Sequence, residues 1–431
     1  MALAAASQLS CFGVAPLAAC SQQDGLHIPY HVCMPPARPR ISLSEAPRDI
    51  VVGDFDGDKF ADLAVLSDTD HVVVYTKLAE DLPTTKSLHF GSGEVAVSGF
   101  VASPFLDGGH GDDLIAWIDR PQPLVGQLSV LPNGGNNFAA APILDEIRGN
   151  AGGLPLGCFA PSNGLALAAM DSLGPSLLVT ACLPNLALGA ADVDGVYADG
   201  LPDVVAIPGA GYPEQGSLAL VSAKYKSVGP LESASLRPDT APYIVFAHRP
   251  TENGDAALAI VDTTLLDFDR AIPVELGQGS VDQLRSADLD GDGDTDILAF
   301  HREQAGFSVI RQQPPKGAAL AFGEPEFYTL AVKLSAVALG DFTGDGGLDI
   351  AVAHSIDNSS LDGITIFALD LAQPGGPLPY NSELSITVKG AIVALKTLDF
   401  DLDGLADLVA AVRDGSRGSL RFFVNRSPGD S

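Results

Sequence analysis

Basic residues are scarce in this chain: 24 Lys and Arg stand against 54 Asp and Glu over 431 residues, a formal charge of −30. Phosphate backbones are held by basic surface, so this composition argues against nucleic acid as a partner. Tryptophan occurs once, at Trp117, and tyrosine eight times. A lectin with a site in every repeat would need a sugar-stacking aromatic in each, so that class is disfavoured. Cysteine numbers five. Cys11 and Cys20 fall in an N-terminal apolar segment, and Cys33, Cys158 and Cys182 are an odd remainder without C-x-x-C or Cys/His spacing, which supplies neither a disulfide framework nor a zinc site. H-E-x-x-H, G-x-S-x-G, the P-loop and the dinucleotide glycine pattern are all missing. The eight His are scattered, and a lone His such as His301 or His354 on a strand reads as packed or surface-lying. No apolar run is long enough for a membrane helix. The longest stretch, 165–191, is cut by Asp171, by Gly174–Pro175 and by Pro184 into lengths that suit buried strands.

What is plentiful is turn chemistry and acid. The 46 Gly and 31 Pro are dispersed, as in many short strands joined by turns. The length permits one large all-β domain or two to three ordinary ones. At the N-terminus, Leu17-Ala18-Ala19-Cys20 closes a small-residue apolar segment and resembles a bacterial lipoprotein signal, although no Lys or Arg precedes it. That resemblance implies export, a lipid on Cys20 as the sole membrane contact, and residues 1–39 as a signal-like segment with a tail.

The acid is organised. "ADLDGDGDTDILAF" sets aspartate at every second position from Asp288 to Asp296. On a strand these would stack on one face and repel, so the segment is a loop. Its D-x-D-x-D-x-x-x-D form, followed by an apolar run, recurs. Asp54, Asp56, Asp58 and Asp62 make one copy, and Asp341, Thr343, Asp345 and Asp349 another. Asp399, Asp401, Asp403 and Asp407 make a further one, and Asp192, Asp194, Asp199 and Asp203 repeat it across a three-residue insertion. Decayed copies stand at 98–119, with Asp107 and Asp113, at 156–171, and at 243–262. Alternating carboxylates in a Gly-bearing loop can turn several oxygens onto one hard cation, Ca²⁺ above all. The EF-hand is excluded: position 12 holds Val65, Ala299, Val352 and Ala410 instead of Glu, and the flanks read as strands.

Apolar runs precede and follow each loop, a third comes after a turn, and a fourth leads into the next unit. Four strands in units of about 40–60 residues are the pattern of a β-propeller blade. Eight units predict eight blades over 40–426, with 427–431 as a tail. The alternative is seven blades, the short 154–186 unit merging with a neighbour. The last unit ends after three strands, so Arg40–Ser44 is expected to complete it beside 419–425 and close the ring.

Strand, aspartate loop and aliphatic strand together resemble the FG-GAP/VCBS repeat of integrin alpha-chain propellers and their bacterial relatives, over roughly residues 45–425. "VAIPGAGYPEQGSLALVSA" (205–223) and the Asn-Gly turn of "LSVLPNGGNNF" (128–138) are also similar to that family. The resemblance implies carboxylate ligands at loop positions 1, 3, 5 and 9, with a hydroxyl at Thr343. It also implies a main-chain oxygen at position 7: Phe60, Leu201, Asp294, Gly347 and Leu405. About five Ca²⁺ sites would follow. Three function classes remain: an exported or surface-anchored monomeric module that binds a protein or glycan, a calcium-containing propeller enzyme such as a polysaccharide lyase, and a purely structural accessory.

Overall fold

The computed structural model describes residues 40–69, 71–78, 83–89, 96–103, 111–121, 124–131, 133, 158–159, 165–169, 176–184, 203–208, 219–221, 230–237, 243–248, 255–262, 270–316, 319–330, 333–344, 347–356, 361–369 and 380–425. Among these there is no α-helix. The strands pair antiparallel throughout, in seven sheets of three or more strands and one two-stranded hairpin.

The chain divides into two compact units, Pro47–Leu334 and a second made of Met1–Ala46 with Ser335–Ser431. Five sheets belong to the first. Sheet 1 runs Pro47–Gly53, Asp62–Ser67, His71–Thr76 and Thr84–His89 in that spatial order. Sheet 2 has Ala96–Ser103, Asp113–Pro121 and Leu124–Leu131. Sheet 3 has Leu165–Ala169, Ser176–Pro184, Asp203–Pro208 and Ala219–Val221, with Cys158–Phe159 on the end of its second strand. Sheet 4 has Leu231–Ala234, Tyr243–His248, Ala257–Asp262 and Ile272–Glu275. Sheet 5 has Gln283–Ala287, Asp296–His301, Gly306–Ile310 and Glu326–Thr329, and the hairpin Gln312–Lys316 with Ala319–Phe322 interrupts it before its last strand. The first strands of these five sheets lie side by side in chain order.

The other unit holds sheet 6, from Leu334–Gly340, Asp349–Ser355, Leu361–Leu369 and Tyr380–Lys389, and sheet 7, from Ala391–Leu398, Asp407–Asp414, Arg417–Phe423 and Ile41–Leu43. The orphan N-terminal strand thus lies where the sequence placed it, with Ile41 opposite Leu420 and Leu43 opposite Gly418.

Two expectations change. The strands of 154–186 do not form a sheet of their own but join Asp203–Pro208 in sheet 3, as the alternative of a merged unit has it, so that among the described residues seven sheets carry what was counted as eight units. The decayed copy assigned to 243–262 is displaced: Tyr243–His248 is the second strand of sheet 4, so its degenerate loop precedes it, between Ala234 and Tyr243.

The second strands of sheets 1, 4 and 5, "DLAVLS", "YIVFAH" and "DILAFH", are buried along their whole length, and those of sheets 6 and 7 are buried up to their last two residues. Strands covered on both faces read as unbroken apolar runs because neither face meets water. Neighbouring sheets share a core by alternate residues. Ala351, Ala353, Ile364 and Ile366 of sheet 6 pack with Leu408, Ala410 and Val412 of sheet 7. Phe55, Ala64 and Leu66 of sheet 1 likewise pack with Phe100, Leu114 and Ala116 of sheet 2. Small residues at these places let the sheets approach. At Gly53 and Gly340, the residues before two of the aspartate loops, an added Cβ would lie within 3.0 Å of Ala102 and Ala406 of the next sheet.

Candidate metal centre

The loops 54–62, 288–296, 341–349 and 399–407 each join the first to the second strand of their sheet. Their chain path is set by two left-handed positions. Loop positions 4 and 6 have positive φ at Gly57 and Lys59, Gly291 and Gly293, and Leu402 and Gly404; position 4 of the remaining loop is Gly344. Two such turns curl five residues round one point, which a strand cannot do.

The carboxylates then act as the loop's internal scaffold. Position 1 accepts backbone N–H groups from inside the loop: Asp54 from Gly57 and Lys59 at 2.8 and 3.0 Å, and Asp288 from Gly291 and Gly293 at 2.8 and 3.0 Å. Asp399 accepts from Asp403 and Gly404 at 3.2 and 3.0 Å. Position 5 accepts from position 7: Asp58 from Phe60, Asp292 from Asp294 and Asp403 from Leu405, at 2.8–3.0 Å.

Position 9 has a further task that the sequence reading missed. One carboxylate oxygen of Asp62, Asp296, Asp349 and Asp407 accepts the N–H of loop position 2 (Phe55, Leu289, Phe342 and Phe400) at 2.7–3.2 Å. The other oxygen of Asp62, Asp296 and Asp407 accepts the N–H of a residue one or two past the third strand: Lys77, Gln312 and Asn425. Asp113, in the decayed loop of sheet 2, does the same with Asn133 at 2.6 Å. Both asparagines then reach onward. Asn425 donates through Nδ2 to the carbonyl of Phe342 in sheet 6, and Asn133 donates to the carbonyl of Phe55 in sheet 1, so each ties its sheet to position 2 of the preceding loop.

Three sets of carboxylates converge: Asp54, Asp56 and Asp58; Asp288, Asp290 and Asp296; and Asp399, Asp401 and Asp407. Within each, one oxygen per residue lies within 4.8 Å of the others. The convergence is costly without a cation. Burial, reinforced by Asp56 and Asp58, pushes Asp62 up to about 7. Burial, with Asp290 and Asp292, pushes Asp296 up to about 7, and burial with Asp401 and Asp403 pushes Asp407 up to about 6. Asp56 and Asp292 are raised by burial first and by their carboxylate neighbours next. Positions 1 and 3 thus converge in all three loops, joined by position 5 in 54–62 and by position 9 in 288–296 and 399–407. The donors are all oxygens, which suits a hard cation and not zinc or copper.

Of the remaining expected ligands, Asp341, Thr343, Gly347 and Asp349 lie in one loop, with the Thr343 hydroxyl 3.5 Å from Asp341. Asp345, Asp192, Asp194, Asp199, Leu201 and the lipidation residue Cys20 lie outside the described residues. Asp203 opens the third strand along sheet 3, not the second. His301 and Ser308 are fully buried: His301 Nδ1 donates to the Ser280 carbonyl and Nε2 accepts from the Ser308 hydroxyl, each at 2.9 Å. His354 Nε2 lies 2.9 Å from the Thr365 hydroxyl, and burial lowers the pKa of both rings. These are packed histidines.

Residues 288–352, which span two of the loops, match the FG-GAP-like repeat family. This segment is an FG-GAP-like repeat. No curated protein matches it. Among solved structures, a luciferin-regenerating enzyme is similar at 10% identity and a TM-score of 0.41, over 91% of this chain and 98% of that one. That likeness is too slight to carry fold or chemistry across.

Proposed function

We propose that this chain is an exported, calcium-binding β-propeller that serves as a binding module for a protein or glycan. The observation that carries the reading is the recurrence of a three-carboxylate convergence, positions 1 and 3 with either 5 or 9, in three FG-GAP-type loops, each at the first turn of its sheet. Positions 1, 3, 5 and 9 with a carbonyl at position 7 would supply five ligand residues, which a bidentate carboxylate or water brings to the six to eight oxygens Ca²⁺ takes, whereas Mg²⁺ keeps several waters and uses only one or two carboxylates. When bound, the ion supplies positive charge that offsets the carboxylates and fixes the loop. Four-stranded sheets following one another with their first strands adjacent fit blades around an axis, and Ile41–Leu43 beside Arg417–Phe423 fits a ring closed by joining the chain ends in one blade. Loops of this kind match calcium levels outside the cytoplasm, which favours export. Flow dialysis of the purified chain tests the site: two or more calcium ions bound per chain at millimolar Ca²⁺, undisplaced by equal Mg²⁺, is the expected result. No bound calcium at that concentration sinks the reading.

A further inference from the structure

In the loop richest in acid, 288–296, a buried guanidinium reaches one of the carboxylates. Arg311 is 7% exposed and donates through Nη1 to Asp290 Oδ2 at 2.5 Å. Its Nε lies 3.7 Å from Glu326 Oε1, toward the solvent side. The loop itself fixes this arrangement, because Asp296 accepts the N–H of Gln312 and so holds the end of Gly306–Ile310 against the carboxylates. In the other two loops the same bond falls on Lys77 and Asn425, and the residues ahead of them are Thr76 and Val424, neither charged. Asp290 is 5% exposed, whereas its counterparts Asp56 and Asp401 are only half-buried. A carboxylate sealed this far from water needs an opposite charge with hydrogen-bonding geometry, and a guanidinium supplies both.

We propose that Arg311 is a resident counter-ion of the 288–296 loop, supplying through Asp290 the charge that a divalent cation supplies in 54–62 and 399–407. The loop is thereby held closed without metal. A cation entering it meets a fixed positive charge beside one of its ligands, so this loop binds most weakly of the three. Only this last consequence rests on the calcium reading above.

The test is a cycle of Arg311→Met, Asp290→Asn and the double variant, melted in chelator and in millimolar calcium. In chelator each single change lowers the midpoint, and the double change lowers it by less than the sum of the two. Calcium restores Arg311→Met toward wild type but not Asp290→Asn, and one site in Arg311→Met binds calcium about tenfold tighter or more, the scale on which a neighbouring like charge acts. Arg311→Lys, which keeps the charge, stays near wild type in chelator and serves if the Met variant does not fold. Additive single effects in chelator overturn the proposal, as does an Arg311→Met loss that calcium leaves untouched while wild type responds to the ion. If wild type itself ignores calcium, the metal reading of the other loops falls, and the chelator cycle still decides the role of Arg311.

Discussion

Asp113 separates the structural duty of the last loop aspartate from metal binding, because its loop has Phe105 and Gly109 at two of the four carboxylate positions. Asp113 is 2% exposed, and its Oδ1 accepts the N–H of Asn133, itself buried. Asn133 in turn donates to the carbonyls of Phe55 and Asp112 at 3.1 and 3.3 Å. Asp113→Ala leaves a buried N–H without its acceptor, at about 1–3 kcal/mol, and loosens two bonds worth about 0.5–1.5 kcal/mol each. The expected loss is about 2–6 kcal/mol, a large part of the 5–15 kcal/mol typical of a domain. Asp401→Asn is the opposite case, a residue whose oxygen joins the 399–407 convergence from a half-buried position. It should cost little in chelator and appreciably in calcium. Urea unfolding of both variants in each condition reads the difference. An Asp113→Ala loss that appears only in calcium, or one below about 0.5 kcal/mol, refutes the assignment of this aspartate as a clamp.

Leu402 sits at φ 63° and is 48% exposed. A left-handed non-glycine residue costs about 1–2 kcal/mol and glycine's extra chain entropy about 0.5–1 kcal/mol, so Leu402→Gly should stabilise slightly and raise the melting midpoint. Asn425→Leu, at a fully buried position, should cost about 1–3 kcal/mol by removing the donor to the Phe342 carbonyl, again measured by urea unfolding. Stability in chelator should fall as pH rises from 4 to 7. Asp62, Asp296 and Asp407 bind their protons more tightly folded than unfolded, so the folded state holds more protons across that window and loses the advantage as they ionise. For Asp407, moving from 3.8 to about 6 amounts to about 3 kcal/mol at neutral pH. Calcium should flatten the slope, which chemical unfolding at stepped pH reads out.

The loops and the strands flanking them were legible because the same residue types recur at fixed spacing, and because spacing alone decides which oxygens share a side. The pairing of Ile41–Leu43 with the last sheet was also legible, from the count of strands in the final unit. The 154–186 segment was not, since its loop keeps no ligand and apolar runs alone cannot say which sheet they join. In sheet 4 a signal was present and unused: "YIVFAH" matches "DILAFH" and "DIAVAH" through to the terminal His248, His301 and His354, which marks it as a second strand. Arg311 could not be read at all. It lies 21 residues from Asp290, and the pairing of Ile310 with Ile297 and the bond from Gln312 to Asp296 bring the two together.

Wild type and the double variant Asp56→Asn/Asp401→Asn, melted in millimolar calcium and in chelator, test the central claim most directly. Each filled site adds about 1.4 kcal/mol at tenfold over its Kd, so wild type should melt higher in calcium and the double variant should lose most of that gain. A wild-type midpoint that is the same in calcium and in chelator would contradict the account, and the aspartate loops would then be turns held by their own hydrogen bonds alone.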